Sequence, residues 1–434
     1  MIKEKLKFNF ILRWSSTSVS MGMSGMLMMH FAFYATDTVG LDPGLVGVLI
    51  LVSRLLDAAI GIIAGFVVDR TRTRFGKGRH YDLFLLPMWF CVVLLFSTPD
   101  FGMTGRIIYV FAFYSLATSV LTTLAHSGQT AYMGRAIPDD HDRAKVTSVS
   151  AVLVMLVCSI GSIAFPQLMT VLGSQHGGWR VISLVYALPM CAIGVLRFFT
   201  VKEKQLNGDS DENQRIGAKE GLRVIFRNKY IFILAAAGML CNITMTVTST
   251  VTTYFFTYII GDLGLMSFVG IVGFASPLVL LMFPAAIRTI GGMNFVRIGL
   301  VLAIAGNLIK LISIKNIPLL VAAQLFANIG LSAFMMMTGY FLLQVIDHGE
   351  RKFGKRVEGL SSAVSGLFGK IGGGLASLLV GGLMGLAGYV NLSAEQPAAA
   401  LNAVTALYSW IPAVFCTLIL ISLHFYDLDK KRKD

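Results

Sequence analysis

Leu51 to His80 reads LVSRLLDAAIGIIAGFVVDRTRTRFGKGRH, and this stretch decides the fold. Its first part is apolar and carries two charges, Arg54 and Asp57. They lie three residues apart and so share a helix face. The apolar run from Gly44 to Val68 is long enough to cross a bilayer, which takes roughly 20 residues. Asp57 falls near its middle. A carboxylate at that depth is costly and must face a partner or a water-filled cavity. A structural ion pair with Arg54 is one reading, and an ion site is the other. The second part, Asp69 to His80, sets Arg70, Arg72, Arg74, Lys77 and Arg79 against a single acid. A loop so basic stays in the cytoplasm.

Composition agrees. The 434 residues are 55% hydrophobic and only 14% charged, with a mean hydropathy of +0.73. Soluble domains carry about 25% charged residues. The chain reads as an all-α polytopic membrane protein. Its net charge of +13 does not point to a nucleic-acid partner, because the Lys and Arg cluster in short loops between apolar runs. The expected partners are the bilayer and a small-molecule substrate, for a chain that works as a monomer. The start, MIKEKLKFNF, leads into a full-length span without a small-residue cleavage site, so no signal peptide is expected. The five cysteines fall in apolar runs with no metal-ligand spacing, and read as small buried hydrophobes.

Apolar runs of spanning length recur twelve times, near 14–36, 44–68, 82–98, 106–133, 146–172, 180–200, 230–260, 266–287, 295–314, 318–346, 359–390 and 401–426. The longest polar run, 201–229, divides them into two six-helix bundles, 1–200 and 230–434. With both ends and this linker in the cytoplasm, thirty of the 36 Lys and Arg fall on the cytoplasmic side and four outside. That asymmetry fixes the predicted orientation and suggests a bacterial inner membrane. Arg74-Phe75-Gly76-Lys77 after the second span is echoed by Lys352-Phe353-Gly354-Lys355 after the tenth. Two related bundles with cytoplasmic ends suggest a transporter with its site between them.

The charges inside the spans narrow the chemistry. Asp57 reads as the only acid deep in a span, and Lys370, in LFGKIGGGLA, as the only deep ammonium. Asp57, Arg54 and Lys370 therefore form a candidate coupling cluster, where a proton or metal cation could compete for the carboxylate. Gly369, Gly372, Gly373 and Gly374 suggest close helix packing around the lysine, in preference to a broken ion-coordinating helix. In the seventh span Asn242, Thr246, Thr250 and Tyr254 repeat at helical spacing. Such a stripe either lines an aqueous cavity or spends its hydroxyls on its own helix. His30 and His126 are candidate proton relays or core histidines. No phosphate-binding loop is present, so nucleotide-driven pumping has no visible machinery. No enzyme activity, cofactor or resident metal is expected; the coupling ion is H+ or Na+.

Four stretches in order make the chain resemble the sodium:melibiose symporter group, the glycoside–pentoside–hexuronide:cation symporters of the major facilitator superfamily. They are Arg54-Leu-Leu-Asp57 with Asp69 to Lys77; Asp139 to Lys145; Arg227-Asn228-Lys229 leading to Tyr254 and Gly261-Asp262; and Asp347-His348-Gly349-Glu350 with Gly354-Lys355-Arg356, Glu358-Gly359 and Lys370. The resemblance implies a twelve-helix alternating-access symporter, with Asp57 in the cation site and Lys370 in a charge-coupling position. The chain also departs from the pattern. Gly61 stands where sodium-using members carry a second acid. Met21 and His126 replace sugar-binding acids, Ala151 an arginine, and Thr130 and Met335 tryptophans. Met21, His126, Thr130, Asn242, Thr246, Thr250, Tyr254 and Met335 are the candidate substrate cavity. Asp69, Arg70, Arg74, Arg79, Asp142, Arg143, Asp347 and Arg356 are the candidate cytoplasmic gate. The expected function is cation-coupled symport of a small organic solute, with a proton favoured over sodium and a sugar or glycoside by family. Two alternatives stand. The methionines of the first span suit a less polar, lysolipid- or steroid-like solute, and the same fold could serve a non-transporting sensor.

Overall fold

A computed structural model describes residues 8–70, 73, 76, 78–137, 140–173, 177–202, 226–272, 289–314, 316–353, 358–393 and 395–426. Among them the secondary structure is helical throughout. Among the described residues nine helices are long and apolar enough to cross a membrane. They correspond to nine of the twelve expected spans. The expected eighth span lies mostly outside the described residues, and the first and third are built from shorter pieces for local reasons.

The first span is divided into α1 (Phe8–Met28) and α2 (Phe31–Asp37). At the break, Met29 and His30 turn back to the carbonyls of Met26 and Leu27, and the His30 ring stacks on Phe165 at 3.7 Å. The second span is α3 (Pro43–Arg70), opened by Pro43, whose missing N–H costs nothing at a first helical position. The third begins as a 3-10 turn, Arg79–Phe84, and continues as α4 (Leu85–Leu95). Pro87 sits in the first turn of α4, where a proline is tolerated. Next come α5 (Met103–Ser115), a π turn at Leu116–Leu121, and α6 (Thr122–Ala136). The long α7 (Asp140–Leu172), α8 (Gly178–Gly194) and the short α9 (Leu196–Thr200) follow.

After 226–228 the chain enters α10 (Lys229–Tyr254), capped by the Asn228 side chain, which accepts the N–H of Tyr230 at 3.2 Å and donates to Val345 at 3.1 Å. A second π turn, Phe255–Ile260, extends α10 and stops at Gly261, whose φ of 79° suits a residue without a Cβ. The 3-10 turn Leu263–Met266 and α11 (Ser267–Val272) precede α12 (Gly292–Ile312), α13 (Ile317–Phe353), α14 (Glu358–Leu386), α15 (Ala398–Tyr408) and α16 (Trp410–His424).

The chain groups into two compact units. One holds Met1–Asp42, Val52–Asp209 and Asp262–Phe274; the other holds Pro43–Leu51, Ser210–Gly261 and Ala275–Asp434. The grouping takes two short segments from across the expected cut at the linker, and each has a packing reason. Gly47 in the first turns of α3 lies against the backbone of Ser377 in α14. Ser267 of α11 donates to the Ile163 carbonyl of α7 at 3.0 Å and accepts from Gln167 at 3.1 Å.

Within the first unit, α1 is held by small polar side chains. Ser15 bonds Ser150 at 2.7 Å, Thr17 donates to the Gly194 carbonyl at 2.9 Å, and Ser20 donates to the Met190 carbonyl at 2.8 Å while accepting the Trp89 indole N–H. In a bilayer, where apolar burial gives helices little reason to associate, such bonds and close backbones hold a bundle together. The second unit has an apolar core that includes Leu234, Cys241, Leu300, Phe334, Phe341, Cys416 and Tyr426. There α12 and α13 approach so closely that a Cβ at Gly330 would run into the carbonyl oxygen of Gly299.

Candidate functional site

Asp57 is buried in the first unit at 7% exposure. The Thr123 hydroxyl donates to its carboxylate. Thr123 is the second residue of α6, just after the π turn. Within hydrogen-bonding reach along the same seam, Ser119 of the π turn donates to the Ser53 carbonyl at 2.7 Å, and Ser115 pairs with the Ser53 hydroxyl at 2.6 Å. Ser115, Ser119 and Thr123 recur every four residues and present hydroxyls to α3. Single π turns inside helices cluster at functional sites, and this one ends two residues before Thr123. Arg54 is half-buried, and its Nε is shielded from solvent with no partner among the described residues.

Lys370 belongs to the second unit and is half-buried on α14. The glycines beside it serve close packing. A Cβ at Gly372 would meet the Met239 carbonyl of α10, and one at Gly369 would crowd the Asn242 amide.

The α10 stripe divides along its length. Asn242 and Thr246 are half-buried, Thr250 is buried, and Tyr254 is packed edge-on against Tyr389. The threonines off the stripe spend their hydroxyls on their own helix: Thr244 on Leu240, Thr252 on Thr248 and Thr257 on Thr253. No such bond is formed by Thr246 or Thr250 among the described residues, so their hydroxyls stay available. Asn242 donates to Gly238 at 2.9 Å, which leaves its amide oxygen open. Asn242 and Met335 come together around a cavity of about 160 Å³ between α10, α13 and α14. Thr338 and Ser365 complete its polar lining, and the Ser365 hydroxyl is buried without a partner among the described residues.

The other candidates are scattered. Met21 is buried against Leu85 and Ala125. Met23 and Met26 are buried as well, over Gly161. Packing thus accounts for Met21, Met23 and Met26, while Met28 is half-buried and Met29 exposed. His126 is exposed on α6. Arg79 donates to the Phe198 carbonyl at 2.7 Å and stacks over the Phe198 ring, and Arg143 donates to the Ile137 carbonyl at 2.6 Å. Asp142 and Asp347 are half-buried. Thr130, Asp69, Arg70, Arg74 and Arg356 lie outside the residues whose side chains are described.

Three buried charges escaped the sequence reading. Asp82, at the mouth of the third span, is 1% exposed and grips Arg197 with both oxygens, at 2.9 and 2.5 Å. Arg197 falls within the sixth expected span, among the thirty cations counted on the cytoplasmic side. It is completely buried, its guanidinium over Trp14 at 4.9 Å and Tyr132 at 5.2 Å. Asp57 is therefore not the only buried acid. Nor is Lys370 the only buried ammonium. Lys310, placed by its charge in an outside loop, closes the last turn of α12 at 1% exposure. It donates to Asn307 at 2.8 Å and to the Tyr408 carbonyl at 3.4 Å, over the Tyr408 ring. Cation–π contacts and fixed oxygens replace the water each charge has lost.

Comparison with known proteins gives this arrangement its relatives. Residues 15–430 match the MFS/sugar transport protein family. An isoprimeverose transporter of Lactiplantibacillus pentosus is 29% identical over 92% of this chain and 84% of its own. A putative glycoside/cation symporter of Escherichia coli (strain K12) is 27% identical over 93% of this chain and 88% of its own. Among solved structures, an inward-facing, unoccupied bacterial homologue of the human lysosomal transporter Spinster superposes with a TM-score of 0.71. It shares 13% identity over 99% of this chain and 98% of that one, a likeness of fold.

Proposed function

From the premise that this chain belongs to the MFS/sugar transport protein family, as a twelve-helix secondary transporter of the glycoside–pentoside–hexuronide symporter type, we propose that it carries a sugar-type solute together with a proton bound at Asp57. The observation that carries the coupling is a buried carboxylate on α3 that accepts from the Thr123 hydroxyl, with Gly61 one turn away where a second acid would stand. Sodium is a hard ion that needs several oxygen ligands, whereas protonation needs one carboxylate. Arg54 and Lys370 supply the positive charge that the proton competes with in this reading. Asn242, Thr246, Met335, Thr338 and Ser365 form the second unit's share of the solute site, which is polar enough for hydroxyls and lacks tryptophan. The bundles 1–200 and 230–434 work as a monomer in a bacterial inner membrane, with both termini and the 201–229 linker in the cytoplasm. Arg79, Asp142, Arg143 and Asp347, with Asp69, Arg70, Arg74 and Arg356, close the cytoplasmic mouth.

Proteoliposomes test the coupling. An inward pH gradient without sodium should drive uphill accumulation of a labelled glycoside, with isoprimeverose the first to try. An inward sodium gradient at constant pH should not. Accumulation driven by sodium alone would overturn the proton assignment, and failure of counterflow with every glycoside tried would overturn the solute class.

A further inference from the structure

The largest cavity among those described has no part in the proposed solute path. It measures about 900 Å³, the size of a small-ligand pocket, and lies wholly within the first unit, where the ends of α2, α4 and α8 meet the start of α5. It shares no residue with Asp57 or with the α10 stripe.

Its floor is rigid. Trp179 stacks flat on Phe96 at 5.4 Å, and Tyr34 tilts against Trp179 at 5.2 Å while its hydroxyl accepts the N–H of Thr98. All three rings are buried. Its charges are unbalanced. Arg106 is locked, because it pairs with Asp100 and donates to the carbonyls of Phe101 and Val39. Asp100 is spent on that pair. Arg180 also lines the cavity; it is exposed, and its guanidinium has no partner among the described residues. One unspent fork with five N–H donors remains, shaped for a carboxylate or phosphate. The hydroxyls at the rim have the opposite polarity. Ser97 gives its proton to Val93 at 2.6 Å and Thr98 gives its proton to Leu95 at 2.9 Å, so toward a ligand both act as acceptors.

We propose that this cavity is a second, peripheral binding site for a small hydroxylated anion. Arg180 takes the acid group, and Ser97 and Thr98 accept from the ligand's hydroxyls. A dissolved sugar acid and a glycerophosphate lipid headgroup both have this chemistry. The site stands apart from the coupling reading and survives its failure.

Equilibrium binding to the purified full-length protein tests it, with D-glucuronate, glycerol 3-phosphate and neutral methyl glucoside as probes. At least one acid should bind tenfold or more tightly than methyl glucoside. Arg180→Gln should weaken that binding at least tenfold, and Arg180→Lys by less, since it keeps the charge and loses the fork. Asn242→Leu, in the other unit, should leave it unchanged. Binding of glucuronate alone assigns the dissolved solute as the source, and binding of glycerol phosphate alone assigns the headgroup. Methyl glucoside binding that Arg180→Gln weakens as much as the acid's, an unchanged acid constant in Arg180→Gln, or loss in Asn242→Leu would each overturn the site.

Discussion

At the level of single residues, Asp57 and Asp82 are both buried carboxylates with different work to do. Asp57 accepts from the Thr123 hydroxyl, and neutralising it should mimic the protonated state. Asp57→Asn should therefore abolish uphill accumulation in proteoliposomes while leaving solute exchange measurable; gradient-driven accumulation at the wild-type level would remove Asp57 from the coupling site. Thr123→Val takes away a hydrogen bond to a charged group, which contributes about 1.5–3 kcal/mol, so accumulation at a fixed gradient should fall about tenfold and Thr123→Ser should restore it. Asp82 is gripped by Arg197 on two sides, and removing one partner of a buried pair costs about 3–5 kcal/mol. Asp82→Ala should lower the melting temperature of the purified protein sharply, while the double change Asp82→Leu with Arg197→Met should recover most of it. A double variant no more stable than Asp82→Ala would contradict the assignment. The contrast also explains what the sequence could convey. Asp57 stood out because nothing charged but Arg54 surrounds it in a long apolar run. Asp82 sits at the edge of a run and its partner lies 115 residues away, a pairing no local pattern records. Lys310 was hidden for a different reason: its partners are an amide three residues away and a backbone carbonyl, and no acid marks the site.

At the level of the element, helix existence was legible and helix interruption was not. Long apolar runs announce spans, because a bilayer leaves few other ways to satisfy the backbone. The π turns at 116–121 and 255–260 and the break at Met29–His30 depend on tertiary neighbours, such as the Phe165 ring beneath His30. Hydroxyl spacing in α10 was visible, yet only the structure separates Thr246 and Thr250 from the threonines that bond back to their own helix. Glycines raise the same problem, since the sequence does not say which are in contact. Gly330 on α13 abuts the Gly299 carbonyl of α12, whereas Gly339 on the same helix has open space around it. Gly330→Leu should force the two helices apart, at a cost of about 1–3 kcal/mol or more, and reduce folded yield and melting temperature. Gly339→Ala should be neutral or slightly stabilising, because alanine favours the helix by about 1 kcal/mol. Equal melting temperatures for the two variants would mean that the α12–α13 contact is not tight.

For the whole molecule, the governing quantity is the distribution of charge along the chain. Lys and Arg resist translocation, so a loop rich in them stays where it was made. Lys310 and Arg197 were counted with the flanking cations, and correcting both leaves the asymmetry standing. Arg197 leaves the cytoplasmic count and Lys310 leaves the outer one, while the basic 69–80 loop and the 201–229 linker are untouched. The prediction is that residue 208 in the linker and residue 434 at the C-terminal end both lie in the cytoplasm. Fusions at Gly208 and Asp434 to a reporter active only in the periplasm should be silent, and fusions to one active only in the cytoplasm should be bright. Inserting four lysines beside Arg180, next to the 900 Å³ cavity, gives a sharper test. If charge sets the orientation, that insertion should hinder export of the start of α8 and lower the yield of correctly inserted protein, whereas the same four lysines added at Gly208 should change nothing. Periplasmic activity at Gly208 or Asp434, or equal tolerance of the two insertions, would mean that some other feature orients the chain.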